Sequence, residues 1–220
     1  MNILYIPKKK SVLTNVKYGL LYNRYAATDE RNIMPAGWRV ANDNDFEILV
    51  DYVGANGDYT SSNTIAPYLK DTQYWVSGLE GNNQYGFNLR GAGFRLPEIN
   101  SIIIGFNARL ISGVIDNSIH CWVYNDYSPV AFFRGSDPLV NLGFSIRAIK
   151  ENSTDTGTMT GNDGKVYSTV KIGNQVWIAA NLAETKYRNG DLIPEVTDDA
   201  TWYALTTGAL CAANNDWNNV

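Results

Sequence analysis

The clearest hydrophobic period in the chain covers residues 42–53. The apolar positions recur at the spacing that places side chains along one face of a helix: Phe46, Leu49, Val50 and Val53. Asn42 is a residue type that caps helix N-termini, and Gly54 is one that ends helices. The pattern therefore predicts an amphipathic helix over this stretch. A second, shorter helix is expected around residues 63–70, where Pro67 limits its start.

Beyond Gly86 the pattern changes to short apolar or alternating runs separated by Gly, Asn and Pro. These runs predict antiparallel strands: Phe87–Phe94, Ala108–Ile115, His120–Asn125, Val130–Arg134 and Phe144–Ile149. In the last part of the chain, strand alternation over residues 166–172 meets Gly173-Asn174, a hairpin turn leading into Gln175–Ala179. Thr197 is expected to cap a short helix that carries Trp202 and Leu205. Few helices among many short strands give an α+β class.

Charge and apolar content exclude two classes of partner. The 220 residues include 18 basic and 22 acidic residues, a net charge of −4 that gives no broad attraction for nucleic acid. Apolar runs such as Ile102-Ile103-Ile104 are far shorter than the roughly 20 residues of a membrane helix. No nucleic-acid partner and no membrane insertion are therefore expected.

Residues that could carry catalysis or bind a metal are scarce. His120 is the single histidine, which leaves no His pair for a metal and little scope for a Ser-His-Asp site. Cys121 and Cys211 lack a recognised ligand spacing and are expected as buried thiols, a disulfide between them being the alternative. Paired carboxylates such as Asp43 and Asp45 fit a helix start better than glycoside cleavage. We expect no catalytic residue, no metal and no cofactor.

Several long motifs resemble one known family. Tyr18-Gly19-Leu20-Leu21-Tyr22-Asn23 through Gly143-Phe144-Ser145-Ile146-Arg147-Ala148-Ile149-Lys150 is similar to the second part of the Fibrobacter succinogenes major paralogous domain. Asp163-Gly164-Lys165-Val166-Tyr167, the run from Gly173 to Leu182 and Asn214-Asn215-Asp216-Trp217 resemble its first part. The order of the two parts is reversed here. The resemblance therefore implies a circular permutant, or a chain that exchanges halves with its neighbours.

The resemblance also implies a fold and a division of the chain. The family's architecture is close to the C-type lectin fold, in which the first and last strands pair, so closure within one chain would bring Val220 near Tyr18. The expected units are an N-terminal arm or anchor over residues 1–17, the second part of the domain over 18–150, a linker over 151–156 and the first part over 157–220. Such a permutation is reasonable because adjacent termini can be joined at modest cost.

The resemblance further bears on compartment and ligand. Family members carry cysteines where this chain has Met34 and Ala148, and joint loss of the pair fits a disulfide that a reducing compartment would not maintain. The charge after the first apolar residues is the reverse of a secretory signal, so the chain is expected to stay in the cytosol that made it. Calcium-dependent lectins have a Glu-Pro-Asn loop that is missing here, and Trp217-Asn218-Asn219 matches their Trp-Asn-Asp element only in part.

Aromatic residues are the most plausible means of recognition. Trp38, Trp122, Trp177 and Trp202 are expected to build the core. Tyr74 and Trp75 lie in a polar, Gly-rich stretch that could serve recognition. The predicted ligand-binding face, before the closing strand as in lectin-like folds, comprises Tyr124, Asp126, Tyr127, Arg134 and Asp137. The alternative is that these five are ordinary turn and edge-strand residues.

Together these features predict a non-catalytic bacteriophage virion structural protein of the fibre, head-fibre or decoration type. It would be made in the host cytoplasm, assemble as a homotrimer, contact other virion proteins through residues 1–17 and bind a host-surface glycan or protein. The first alternative is a bacterial cell-surface adhesin or carbohydrate-binding module with an export signal outside this chain. A glycoside hydrolase is the third hypothesis.

Overall fold

The computed structural model describes residues 13–54, 57, 64–96, 104–115, 118–125, 128–137, 141–152 and 155–220. The helices within them are α1 (Arg24–Ala27), α2 (Asp43–Val53), α3 (Ala66–Leu69) and α4 (Asp199–Tyr203), with 3₁₀ turns at Ala213–Asn215 and Trp217–Asn219. The strands are β1 (Leu20–Tyr22), β2 (Trp38–Val40), β3 (Ala108–Ile115), β4 (Ser118–Asn125), β5 (Ser128–Asp137), β6 (Ala148–Lys150), β7 (Thr158–Thr160), β8 (Val166–Ile172), β9 (Gln175–Ile178) and β10 (Leu210–Ala212). The α+β class is confirmed.

Helix α2 forms as the hydrophobic period predicts. The Asn42 side chain accepts a hydrogen bond from the Asp45 backbone N–H, and the Asp45 carboxylate accepts one from Asn42 in return. Gly54 closes the helix with a φ of +116°, which glycine adopts without steric cost. The four apolar side chains of the stripe are buried. Helix α3 is shorter than expected, with Pro67 in its first turn.

A five-stranded sheet joins the early and late parts of the chain. Its order is β2-β6-β9-β8-β7, and its neighbouring strands are antiparallel. Strand β6 places Ile149 opposite Trp177, so residues far apart in sequence share one ladder. Strands β1 and β10 form a second junction, and Tyr18 N donates to the Asn219 carbonyl at 3.0 Å. Tyr18 therefore lies beside the last residues of the chain, the arrangement expected of closure within one chain.

The third sheet, β3-β4-β5, separates two apolar clusters. Along β4, Cys121 and Val123 pack in the cluster that also holds Leu20 and Phe144. Trp122 lies in the other cluster, with the α2 stripe. This alternation follows from the two-residue repeat of a strand. Cys121 and Cys211 are buried thiols outside any disulfide, as expected.

The strand expected over Phe87–Phe94 does not form, and the hydrogen bonds of Arg147 explain why. This wholly buried arginine donates to the carbonyls of Phe87 at 2.5 Å, Asn88 at 2.6 Å and Ile178 at 3.1 Å, and to Asn181 Oδ1 at 3.0 Å. Two carbonyls that a sheet partner would use are therefore bound to the guanidinium. Asn88 has a φ of +52°, which also interrupts extended backbone.

Two boundaries near the chain ends also differ from expectation. Asp198, rather than Thr197, caps α4, because its carboxylate accepts from the Thr201 backbone N–H. In the expected arm, residues 13–17 lie on the body: Thr14 N donates to the Val166 carbonyl at 2.7 Å and Val16 is buried.

No helix in the described ranges is long and apolar enough to span a membrane.

Candidate functional site

Tyr124, the first residue of the predicted ligand-binding face, is wholly buried. Its ring meets Trp75 edge to face with centroids 4.6 Å apart, and its hydroxyl accepts a hydrogen bond from Lys70 Nζ at 3.1 Å. Tyr124 does not present an exposed contact ring, because it faces the same apolar cluster as Trp122 and the α2 stripe. Trp75 is buried beside it. Burial lowers the pKa of Lys70 to about 8.

Of the other four predicted site residues, the structure describes two, Arg134 and Asp137, and both lie on β5. Arg134 is partly exposed and donates to Glu47 Oε1 of α2 at 2.8 Å, which makes it an ion pair between sheet and helix. Asp137 lies on β5 opposite Ile119 of β4. Asp126 and Tyr127 lie outside the described residues. Their part in ligand binding stays a prediction.

The single histidine belongs to a polar cluster around Asp43. Ser112 Oγ and Trp122 Nε1 both donate to Asp43 Oδ1, at 2.5 and 3.2 Å, and His120 Nδ1 lies 3.4 Å from Asp43 Oδ2. A nucleophilic triad needs the imidazole between hydroxyl and carboxylate. Here the carboxylate lies between the other two groups, so the cluster joins the start of α2 to the sheet and does not activate the serine.

A surface groove of about 450 Å³ is a candidate for ligand binding. One side comes from the end of α1 and the residues after it, and the other from the loop before β10. The lining residues are Tyr25, Thr28, Asp29, Glu30, Arg31, Thr206, Thr207 and Gly208. This volume falls in the range of small-molecule sites. Sequence reasoning missed the groove because its two sides are far apart in the chain.

Asn23 holds the two sides of the groove together. Its Oδ1 accepts from the Ala26 backbone N–H at 2.9 Å, which caps α1, and from the Ala209 backbone N–H at 3.0 Å. Its Nδ2 donates to the Thr207 carbonyl at 2.8 Å. The side chain is completely buried. One amide therefore fixes the spacing of the groove walls before any ligand arrives.

Arg31 lines the groove and is held by two carboxylates and an aromatic ring. It donates to both oxygens of Asp29 at 2.8 Å and to Asp191 at 3.2 Å, and its guanidinium lies 4.1 Å from the Tyr187 ring centroid. The Arg31 hydrogen bonds lower the pKa of Asp29. Burial, and then the Asp29 charge, raise the pKa of Tyr187 to about 12. Near neutral pH the lining therefore includes the paired Asp29 carboxylate and Arg31 guanidinium, and the buried Tyr187 beside Arg31 is a neutral phenol.

The chemistry of this lining favours a ligand rich in polar groups. The Thr206 and Thr207 hydroxyls can donate or accept, the Thr28 hydroxyl donates to the Arg24 carbonyl and can still accept, and Glu30 is an exposed carboxylate. Tyr25 is held in place by Arg24, whose Nη2 donates to the Tyr25 hydroxyl at 2.8 Å. No group of three or more His, Cys, Asp or Glu side chains that could hold a metal occurs among the described residues.

Comparison with known proteins places the chain in a family. The model of the Fibrobacter succinogenes major domain matches residues 4–150. The chain belongs to this family. It is a family of surface-protein domains. The match begins inside the expected arm and ends with β6, whereas β7 to β10 follow it. Neither curated proteins nor solved structures gave a match.

Proposed function

We propose that this member of the Fibrobacter succinogenes major domain family is a non-catalytic structural protein of a bacteriophage virion, of the fibre, head-fibre or decoration type. Its domain would recognise the host surface. The observation that carries the recognition role is the groove, whose preset walls and polar lining suit binding without bond cleavage. Family membership supports a surface protein, and the buried Met34 and Ala148, which cannot form the disulfide of the family's cysteines, support assembly in a reducing compartment.

We also propose a lectin-like fold with its two halves in permuted order. Tyr18 lies beside Asn219, and β1 pairs with β10, so the two ends of the domain are neighbours. The late strands β8 and β9 complete the sheet that β2 and β6 begin. Both features are what a circular permutant of a domain with paired terminal strands would show.

The groove is tested by adhesion of purified protein to host cells. Tyr25→Ala should weaken adhesion by about 1–3 kcal/mol, the range for truncating a contact aromatic, and leave thermal unfolding nearly unchanged. Tyr203→Ala is the matched control because Tyr203 is an exposed tyrosine, 62% accessible, on α4 outside the groove lining. An equal loss of adhesion in both variants, or no loss of adhesion in either, would contradict a role for the groove. Adhesion abolished by EDTA would instead support a calcium-dependent site.

The proposed assembly is a homotrimer that contacts other virion proteins through residues 1–17. Since residues 13–17 pack on the body, we assign the contact with other virion proteins chiefly to the residues before them. Light scattering is measured on the full chain and on a chain lacking residues 1–12. The full chain should have the mass of a trimer. Monomers alone in both preparations, with a mass of 24.4 kDa for the full chain, would contradict the proposal.

A bacterial cell-surface adhesin is the second candidate, and family membership favours it equally. Imaging of assembled virions with labelled protein separates the two functions. Label on the particle supports the virion protein. Label found only on bacterial cells supports the adhesin.

A further inference from the structure

Trp217 is the one exposed tryptophan of the six in the sequence, all of which lie in the described ranges. It is 45% accessible, whereas Trp38, Trp75, Trp122, Trp177 and Trp202 are at most 8% accessible. Its Nε1 donates to Glu195 Oε1 at 2.7 Å. Because this bond satisfies the polar atom of the indole, the exposed part is mainly the apolar ring.

The backbone that presents Trp217 is held in an uncommon conformation. Asn214 and Asn215 are consecutive residues with φ of +57° and +51°, a region that few residues other than glycine occupy. Asn215 Nδ2 donates to the Thr197 carbonyl at 2.9 Å, and its Oδ1 accepts from Arg95 Nη1 at 3.3 Å. Arg95 is wholly buried. The turn before Trp217 is thus anchored directly to the interior.

The residues after Trp217 are fixed as firmly. Asp216 Oδ1 accepts from the Asn218 backbone N–H at 2.9 Å and from its Nδ2 at 2.8 Å. Asn219 Nδ2 donates to the Ala213 carbonyl at 2.9 Å, and Asn219 Oδ1 accepts from Lys17 Nζ at 3.1 Å. With both flanks bonded, the indole is oriented in advance, which lowers the ordering cost of binding.

We propose that the Trp217 ledge, comprising Trp217, Glu195, Asp216 and Asn218, is a carbohydrate-binding site that stacks one face of a pyranose ring on the indole. A pyranose has an apolar C–H face and a rim of hydroxyls. The indole supplies the apolar surface, and the exposed carboxylates and amide supply acceptors and donors for the rim.

The polar neighbours favour a sugar over a protein. The core of a protein interface is depleted of charged residues around its aromatic anchors, whereas two carboxylates and an amide adjoin this ring.

The Trp217 ledge shares no residue with the groove, so the proposal does not rest on the proposed function. The two sites are distinguished by variants: Trp217→Ala removes the ring, and Tyr25→Ala alters only the groove. Tyr203→Ala again serves as the control for loss of an exposed aromatic side chain.

The test applies the full chain to an array of immobilised glycans, followed by titration with the free form of a retained sugar. We expect Trp217→Ala to weaken binding about tenfold or more, and the two tyrosine variants to bind like the unmodified chain. Tryptophan emission should change on titration of the unmodified chain and not of Trp217→Ala. Unchanged binding by Trp217→Ala, no retained glycan, or retention of a protein ligand alone would overturn the proposal. Thermal unfolding of each variant verifies its fold.

Discussion

Replacement of Glu184 by glutamine should remove a pH dependence of stability. Glu184 is completely buried; its Oε1 accepts from the Tyr167 hydroxyl at 2.8 Å and its Oε2 from the Asp163 backbone N–H at 3.0 Å. Burial first, and the Asp163 charge second, raise the pKa of Glu184 from 4.5 to about 7. Gly161 packs so closely on this carboxyl that a Cβ there would overlap it.

The direction of the pH effect on stability depends on whether the folded or the unfolded chain holds the Glu184 proton. Between pH 4.5 and 7 the unfolded chain has released the Glu184 proton and the folded chain retains it, so the free energy of unfolding falls as pH rises. The loss of stability from ionising the buried Glu184 is absent below pH 4.5 and complete above pH 7. At 1.36 kcal/mol for each pH unit, the fall amounts to about 3 kcal/mol.

Asp163 acts outside that window. Burial raises its pKa, but hydrogen bonds from Lys165 and Thr185 outweigh burial and lower the pKa below 3.8. Its contribution to stability is therefore lost only as pH falls through the acid range. The Glu184 effect is measured as the difference between the unmodified chain and Glu184→Gln.

Urea unfolding followed by tryptophan fluorescence from pH 4.5 to 8 gives both free-energy profiles. The profile of Glu184→Gln should lack the fall seen in the unmodified chain. Glu151→Gln, at an exposed glutamate, serves as the matched control and should preserve the fall. Parallel profiles for the unmodified chain and Glu184→Gln would refute the reasoning.

Further predictions concern buried groups and the junction of the two halves. Arg147→Met should lower the free energy of unfolding in urea by more than about 4 kcal/mol, because four oxygen acceptors lose their donor. Arg134→Met, at an exposed ion pair, should lower it by less than about 1 kcal/mol. Similar losses in the two variants would contradict the role of Arg147 as the donor to these oxygens. Gly208→Ala should cost about 1–3 kcal/mol in thermal unfolding because its Cβ would overlap the buried phenol beneath the groove; an unchanged Tm would contradict this. Because the pKa of Lys70 is lowered from 10.5 to about 8, stability should rise between pH 8 and 10.5, and Lys70→Met should abolish the rise. Residues 1–150 alone should not fold, since β6 and β1 lose their late partners; cooperative unfolding with a native near-UV signal would disprove it.

Local patterns predicted the elements whose stabilising contacts are close in sequence. The Asn42 cap and the apolar stripe of α2 act within one helix, and the β8–β9 hairpin closes through its own Gly173-Asn174 turn. The bounds of β3 agree with the prediction, although its pairing register shifts between Ile111 and Gly113. Burial of the four core tryptophans also followed from their size and apolar surface.

The sequence by itself determined the α+β class, the capped helix, the hairpins and the family. Tertiary structure alone decided that Tyr124 is buried against Lys70, that Arg147 occupies the carbonyls of the expected strand, and that Asn23 joins the walls of the groove. The physical reason is distance along the chain. A cap or a hairpin turn is fixed by residues a few positions apart, whereas burial of a ring or pairing of a guanidinium depends on which distant segments the fold brings into contact.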